Sequence, residues 1–280
     1  MNIRSAITEG TDILKGKSVN SAQLDSEILL ASAIDQDRKY IILNNDQNIK
    51  EKNLRYFQKL INKRSFREPI AYLTNKKHFW KYKFFVTKDV LIPRPDTELI
   101  VAQVLKTYSK DKYLQVLDIG TGSGCILLSL LAERPQFCGT GIDISKQSIN
   151  VSKYNAKRLN LINRVKFYNS DVDNFKNRKY DLIVSNPPYI EISNLKYLER
   201  DVINFEPKLA LNGGFDGFSK IRKVIDKAAV LIKRNGKLIL EIGFNQKNIT
   251  QRILKKEGFY INKVLKDYGY NDRCIICTKI

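Results

Sequence analysis

From about Thr97 onward the chain repeats one pattern: a short apolar run, a turn, then a stretch of helical periodicity. The runs are "YLQVLDIG" from Tyr113, "GTGIDI" from Gly139, "VKFYNSD" from Val165, "DLIVSN" from Asp181 and "GKLILEIG" from Gly236. Stretches such as "CILLSLLAERP" and "SKQSINVSKYNAKRLN" stand between them. Alternation of this kind predicts an α/β domain, Rossmann-like, with a doubly wound, mostly parallel sheet and right-handed crossovers. Such a sheet receives its ligand at the carboxyl ends of its strands.

The rest of the 280 residues has a different character. The first part shows helical spacing and no strand-like alternation. Asn20 can cap a helix with Gln23 three residues later, and Leu24, Ile28 and Ala31 follow at helical intervals, as do Leu54, Phe57 and Ile61. The expected organisation is a small helical bundle over 1–75, a β-hairpin linker over 76–92 and a catalytic domain over 93–280. Phe79, Trp80, Tyr82, Phe84 and Phe85 suit the pleated surface of that hairpin. Aromatics interleaved with lysines could also stack on bases, so a nucleic-acid platform stays open for this segment.

Charge and cysteines constrain less. Lys and Arg number 49 against 29 Asp and Glu, a formal +20, which favours polyanionic surroundings or reflects a compositional bias spread along the chain. Cys125 and Cys138 are isolated, and Cys274 and Cys277 lie in the apolar run "CIICTKI", which reads as a terminal strand. With His78 the only histidine, no metal site is expected. No apolar run reaches the roughly 18 residues of a membrane span, and "MNIRSAITEG" has no signal-peptide core, so a cytoplasmic enzyme without membrane contact is expected.

The segment "VLDIGTGSGCILLSLLA" reads as strand, loop and helix. Gly120, Gly122 and Gly124, with Thr121 and Ser123 between them, let the backbone turn sharply and approach a ligand at the positive end of the following helix. The spacing is G-x-G-x-G rather than the dinucleotide G-x-G-x-x-G. Asp143 ends the next strand, where such folds hold a ribose by its two hydroxyls. Asp171 and Val172, after the third strand, stand where an adenine would rest. A nucleoside cofactor follows, with NAD and S-adenosylmethionine both open at this point.

The fourth strand ends in "SNPPY", which favours the methyl donor. An amide nitrogen is a poor nucleophile because its lone pair is delocalised into the carbonyl. The Asn186 side-chain oxygen and the Pro187 carbonyl offer two acceptors for an NH2 group, while the rings of Pro187 and Pro188 stiffen the turn and add no competing N–H. Tyr189 would pack against the planar group. Hydride transfer has no use for such a clasp.

These motifs, with "EPIAYL", "FFVTKDVLIPRPDTELIV", "FEPKLALNGGFDGFSKIRKVI" and the closing "KDYGYNDR", resemble the HemK/PrmC family of protein-(glutamine-N5) methyltransferases over nearly the whole chain. The resemblance implies a class I S-adenosylmethionine-dependent methyltransferase domain preceded by a helical substrate-recognition domain. It implies an acceptor glutamine in the Gly-Gly-Gln loop of class-1 peptide chain release factors, with nucleic acid not a direct substrate. Carried over by motif, cofactor contacts are Gly120 to Gly124, Asp143, Asp171, Val172 and Asn186, and glutamine contacts are Asn186 to Tyr189. Asn75 and Val172 depart from the glycine and the aromatic usual in the family. Arg94 in "LIPRPDTE" is expected to shape the mouth for the glutamine loop, and "EPKLALNGGFDG" to fold over the site. An adenine-N6 nucleic-acid methyltransferase and a noncatalytic RNA- or ribosome-binding module are the alternatives.

Overall fold

The structure is a computed structural model that describes residues 1–280. The chain begins with five helices, α1 (Ile3–Gly16), α2 (Ala22–Ala33), α3 (Arg38–Leu43), α4 (Glu51–Ser65) and α5 (Ile70–Thr74). A hairpin of β1 (Lys76–Phe79) and β2 (Tyr82–Phe85) follows. Next come α6 (Glu98–Thr107), β3 (Leu114–Ile119), α7 (Cys125–Glu133), β4 (Phe137–Asp143), α8 (Lys146–Arg158), β5 (Val165–Asn169) and β6 (Tyr180–Ser185). The chain closes with α9 (Arg200–Phe205), α10 (Ser219–Leu231), β7 (Ile232–Glu241), α11 (Lys247–Lys256), β8 (Phe259–Lys266) and β9 (Asp272–Lys279). Two compact units result: Met1–Lys76 with Glu199–Phe205, and Lys77–Leu198 with Glu206–Ile280. No helix is long and apolar enough to cross a membrane.

In the first unit the helices close on Ile3, Leu14, Leu29, Leu30, Ile41, Phe57, Leu60 and Ile61. The start of α2 differs from expectation. Its flanking residue is Ser21, which makes no side-chain cap, and Gln23 instead donates to Glu27 one turn on. Leu24 is exposed and Ile28 only half-buried, whereas Asp25 and Ser26 are inside. The rotation has a cause: Arg64 of α4 donates Nε–H to Asp25 Oδ2 at 2.7 Å and Nη1–H to Asp201 Oδ2 at 2.6 Å. A paired carboxylate tolerates burial that an unpaired one would not.

The second unit is built on a seven-stranded sheet in the order β5-β4-β3-β6-β7-β9-β8. All neighbouring pairs from β5 to β7 are parallel, and β9 runs antiparallel to both β7 and β8. Successive residues of a strand face opposite sides, so Val116 joins one buried cluster and Leu117 the other. The same alternation separates Cys274 from Cys277, three residues apart on β9 and facing opposite layers. All four cysteines are free, and burial pushes the Cys125 and Cys277 thiols up to about 12.

Two features go beyond the sequence reading. Strand β8 carries few fully buried positions and pairs at the sheet edge, so its apolar signal is weak. The hairpin is part of the second unit's core rather than a separate linker: Phe79 and Phe84 are fully buried, with ring centroids 6.2 Å apart. Asn155 of α8 binds both the amide and the carbonyl of Phe85, at 2.8 and 2.9 Å. The buried rings of Phe79 and Phe84 are therefore not free to stack on bases.

Candidate functional site

Strand order reverses at β3, from which the chain runs outward through β4 to β5 on one side before crossing back to β6 on the other, and a cleft opens at the carboxyl edge there. Its wall takes residues from the ends of four strands: Gly120 to Ser123 after β3, Asp143 after β4, Ser170 to Val172 after β5, and Ser185 to Pro188 after β6. Residues of the expected cofactor and acceptor sets therefore meet in one cavity.

Gly120, Gly122 and Gly124 have φ of +75°, +56° and +80°, the left-handed region that favours glycine. A Cβ at Gly120 or Gly122 would point into open space, whereas one at Gly124 would stand 2.9 Å from Leu128. The first two present backbone to a ligand, and the third packs the start of α7 and does not line the cleft. The loop is held from behind. Ser152 Oγ–H donates to the Gly122 carbonyl at 2.8 Å, and Asn155 donates to the Ser123 carbonyl at 2.9 Å. Below it lies Asp118, which the sequence reading missed: Thr121 Oγ–H donates to its Oδ2 at 2.7 Å, and burial pushes its carboxyl up to about 7.

Asp143 Oδ2 accepts the Gly122 N–H and Oδ1 accepts the Ser145 N–H, each at 2.9 Å. Burial raises this carboxyl, and the two amides oppose the rise. Each oxygen retains a second lone-pair site, so the pair fits the two hydroxyls of a ribose. Asp171 accepts the Asp173 N–H at 3.0 Å, and Val172 packs partly against the core while lining the cleft. A nucleoside cradle requires an open glycine loop, a held carboxylate and an apolar wall. All three are present.

At the tip of β6 the Asn186 amide is oriented by Thr97, to whose Oγ1 its Nδ2 donates at 3.0 Å. That leaves Oδ1 as the acceptor. Pro187 is buried, and Pro187 and Pro188 line the cleft. Tyr189 does not: its ring packs on the neighbouring core and its hydroxyl reaches Glu241 Oε1 at 3.4 Å. Burial pushes that phenol up to about 12, so it remains a donor.

The glycine-rich "LNGGFDG" segment packs on the same tip. Gly213 N–H donates to the Ile190 carbonyl at 2.8 Å, and Gln246 bridges the carbonyls of Tyr189 and Gly217, both at 3.1 Å. A Cβ at Gly213 or Gly217 would come within 2.8 Å of Tyr189 backbone atoms. Arg94 lines the cleft, but its guanidinium is already paired with buried Glu206, which also accepts the Ile92 N–H at 3.2 Å. Thr97 and Glu241 are further residues absent from the sequence reading. Glu241 had a visible signal, an acid ending an apolar strand.

Comparison with known proteins gives the same picture. The Methyltransferase small domain matches residues 96–207, and the PrmC N-terminal domain matches residues 5–74. A methyltransferase structure from Pyrococcus furiosus is similar in fold, with a TM-score of 0.52 at 20% identity, covering 70% of this chain and 88% of that one. The chain is 35% identical to a bifunctional methyltransferase of Rickettsia conorii, of whose length it spans 58%. It is 36% identical to a release factor glutamine methyltransferase of Clostridium acetobutylicum, with 100% of this chain and 99% of that one covered. With that of Caulobacter vibrioides it shares 33%, covering 100% and 97%. Full-length similarity at this level, on a chain that carries both domains, means that it belongs to the release factor glutamine methyltransferase family.

Proposed function

We propose that this chain transfers a methyl group from S-adenosylmethionine to the side-chain nitrogen of the glutamine in the Gly-Gly-Gln loop of a class-1 peptide chain release factor. The observation that carries the reading is the orientation of Asn186, whose Nδ2 is spent on Thr97 while the residue lines the same cleft as the glycine loop and Asp143. Gly120 and Gly122 offer backbone to the methionine part of the cofactor, Asp143 accepts from its ribose, and Asp171 and Val172 meet its adenine.

Bound there, S-adenosylmethionine supplies a methyl carbon on a sulfonium: a nitrogen–carbon bond forms, the carbon–sulfur bond breaks, and the nitrogen releases one proton to water. Asn186 Oδ1 and the Pro187 carbonyl accept the two N–H groups of the glutamine amide and hold its plane, so that nitrogen density faces the methyl group. Positioning of this type accelerates by orientation rather than by strong-base chemistry. Pro187 and Pro188 keep the acceptors in place without adding a donor. Tyr189 acts from behind, as support for the turn. The acceptor would place the reaction in the cytoplasm, and the formal +20 charge suits an acidic protein or ribosomal environment.

The test incubates the chain with labelled donor and, in parallel, a release factor, the same factor with its Gly-Gly-Gln glutamine replaced, and DNA. Label on the first acceptor alone is expected. Label on DNA would turn the reading toward an adenine methyltransferase, and no label on any acceptor would end it.

A further inference from the structure

We propose that Gln246 is a positioning residue for the acceptor turn: its side-chain amide ties the Tyr189 carbonyl to the loops behind it and so holds the Pro187 carbonyl in place. The inference rests on the methyl-transfer reading above and adds to it a residue that does not line the cleft.

The Asn-Pro-Pro-Tyr turn needs support from outside. Pro187 and Pro188 carry no N–H, so this stretch cannot tie itself down by donating their backbone hydrogen bonds. It is held through an acceptor instead: the Tyr189 carbonyl receives Gln246 Nε2–H at 3.1 Å. Between that carbonyl and the one on Pro187, the peptide bonds are planar and the Pro188 ring fixes φ, which leaves only Pro188 ψ and the Tyr189 φ and ψ to turn. Holding one carbonyl therefore constrains the other.

Gln246 is 4% exposed, and its amide is bonded at both ends. Its Oε1 accepts the Gly243 N–H at 2.9 Å, while its own backbone N–H donates back to the Gly243 carbonyl at 3.0 Å, closing the turn between β7 and α11. Its Nε2 gives one hydrogen to Tyr189 and the other to the Gly217 carbonyl, also at 3.1 Å. A backbone N–H cannot accept and a carbonyl cannot donate, so these partners admit a single orientation of the amide. Leu240 lies opposite Ser185 in parallel register, so the turns after β6 and β7 leave the sheet side by side. One buried side chain thus joins both turns to the "LNGGFDG" segment. The fit is close. A Cβ at Gly217 would stand 2.8 Å from the Tyr189 carbonyl oxygen and 2.9 Å from Gln246 Nε2, and glycine alone permits that approach.

The test uses the full chain and compares Gln246→Met, Gly217→Ala and the double variant Gln246→Met/Gly217→Ala. Methionine keeps the length of the side chain and loses its polar atoms; alanine at Gly217 pushes the same contacts apart from the other side. Steady-state kcat and KM are measured on a release factor, S-adenosylhomocysteine affinity by calorimetry, and the urea midpoint as the check on folding. Gln246→Met should lower kcat about tenfold, the scale of one lost buried hydrogen bond at the turn, with KM and cofactor affinity within about threefold of wild type. Gly217→Ala should show the same split, and the double variant should lose less than the product of the single losses, because both remove one clamp. If Gly217→Ala does not fold, Gln246→Met decides alone. A lower urea midpoint with wild-type kcat in Gln246→Met would make the amide a matter of loop stability only and overturn the proposal. Cofactor affinity falling in step with kcat, or losses that multiply, would overturn it too. A wild-type protein that fails to methylate glutamine would instead overturn the function proposed above, before any variant is compared.

Discussion

Replacing Asp143 by Asn tests the cofactor cradle, and the structure sets the size of the effect. The carboxylate holds the Gly122 N–H with Oδ2 and the Ser145 N–H with Oδ1, both at 2.9 Å, and has one lone-pair site left on each oxygen. An asparagine preserves the shape but presents NH2 to one of those two backbone amides, donor against donor. It also loses one of the two bonds to the ribose and takes the charge out of the other. Charge-assisted hydrogen bonds contribute about 1.5–3 kcal/mol each, so losing one and weakening the second amounts to about 3 kcal/mol. That corresponds to a dissociation constant raised by about 150-fold. Titration calorimetry with S-adenosylhomocysteine reads this directly, with the urea unfolding midpoint of each variant as a control for the loop. Asp143→Asn binding within about threefold of wild type, at unchanged stability, would refute the ribose assignment.

The other predictions concern stability. Arg64→Ala leaves Asp25, 4% exposed, and Asp201 without their cation, which should cost about 3–5 kcal/mol in urea unfolding. A cost under about 1 kcal/mol would mean that the buried pair contributes little. Glu241 carries a pH signature. Its folded carboxyl is pushed up to about 7 from an ordinary 4.5, so between those values the folded state holds the proton more tightly than the unfolded chain. Its contribution to stability is full below 4.5 and is lost as pH rises toward 7. Glu241→Gln removes this titration, so denaturation across that window should show a shallower decline than in wild type. Parallel curves would contradict the assigned burial.

The parts of the molecule legible in the sequence are those written by local chemistry. Apolar runs such as "DLIVSN" announce buried parallel strands because both faces of the sheet are covered. Gly120 and Gly122 announce a loop because glycine takes their positive φ values without the steric cost of a Cβ. What escaped was decided by partners distant in the chain. The buried face of α2 includes Asp25 because Arg64 lies 39 residues on, and Arg64 in turn meets Asp201 a further 137 residues away. Arg94 looked free to meet a substrate loop until Glu206, 112 residues later, claimed it. Thr97 and Asn186 are separated by 89 residues, and no local periodicity signals their bond. Tyr189, placed against the acceptor by motif, packs behind the turn because Glu241 and the Gly213–Gly217 segment receive it there.

The account stands on Asn186 as the oxygen that grips the acceptor amide. Single-turnover methylation of a release factor by Asn186→Ala, under saturating donor, measures that grip apart from binding and product release. The chemical step should slow by about two orders of magnitude or more, while S-adenosylhomocysteine affinity stays within about threefold of wild type, since the lost oxygen acts chiefly at the transition state. A variant that methylates the glutamine at the wild-type rate would contradict the account.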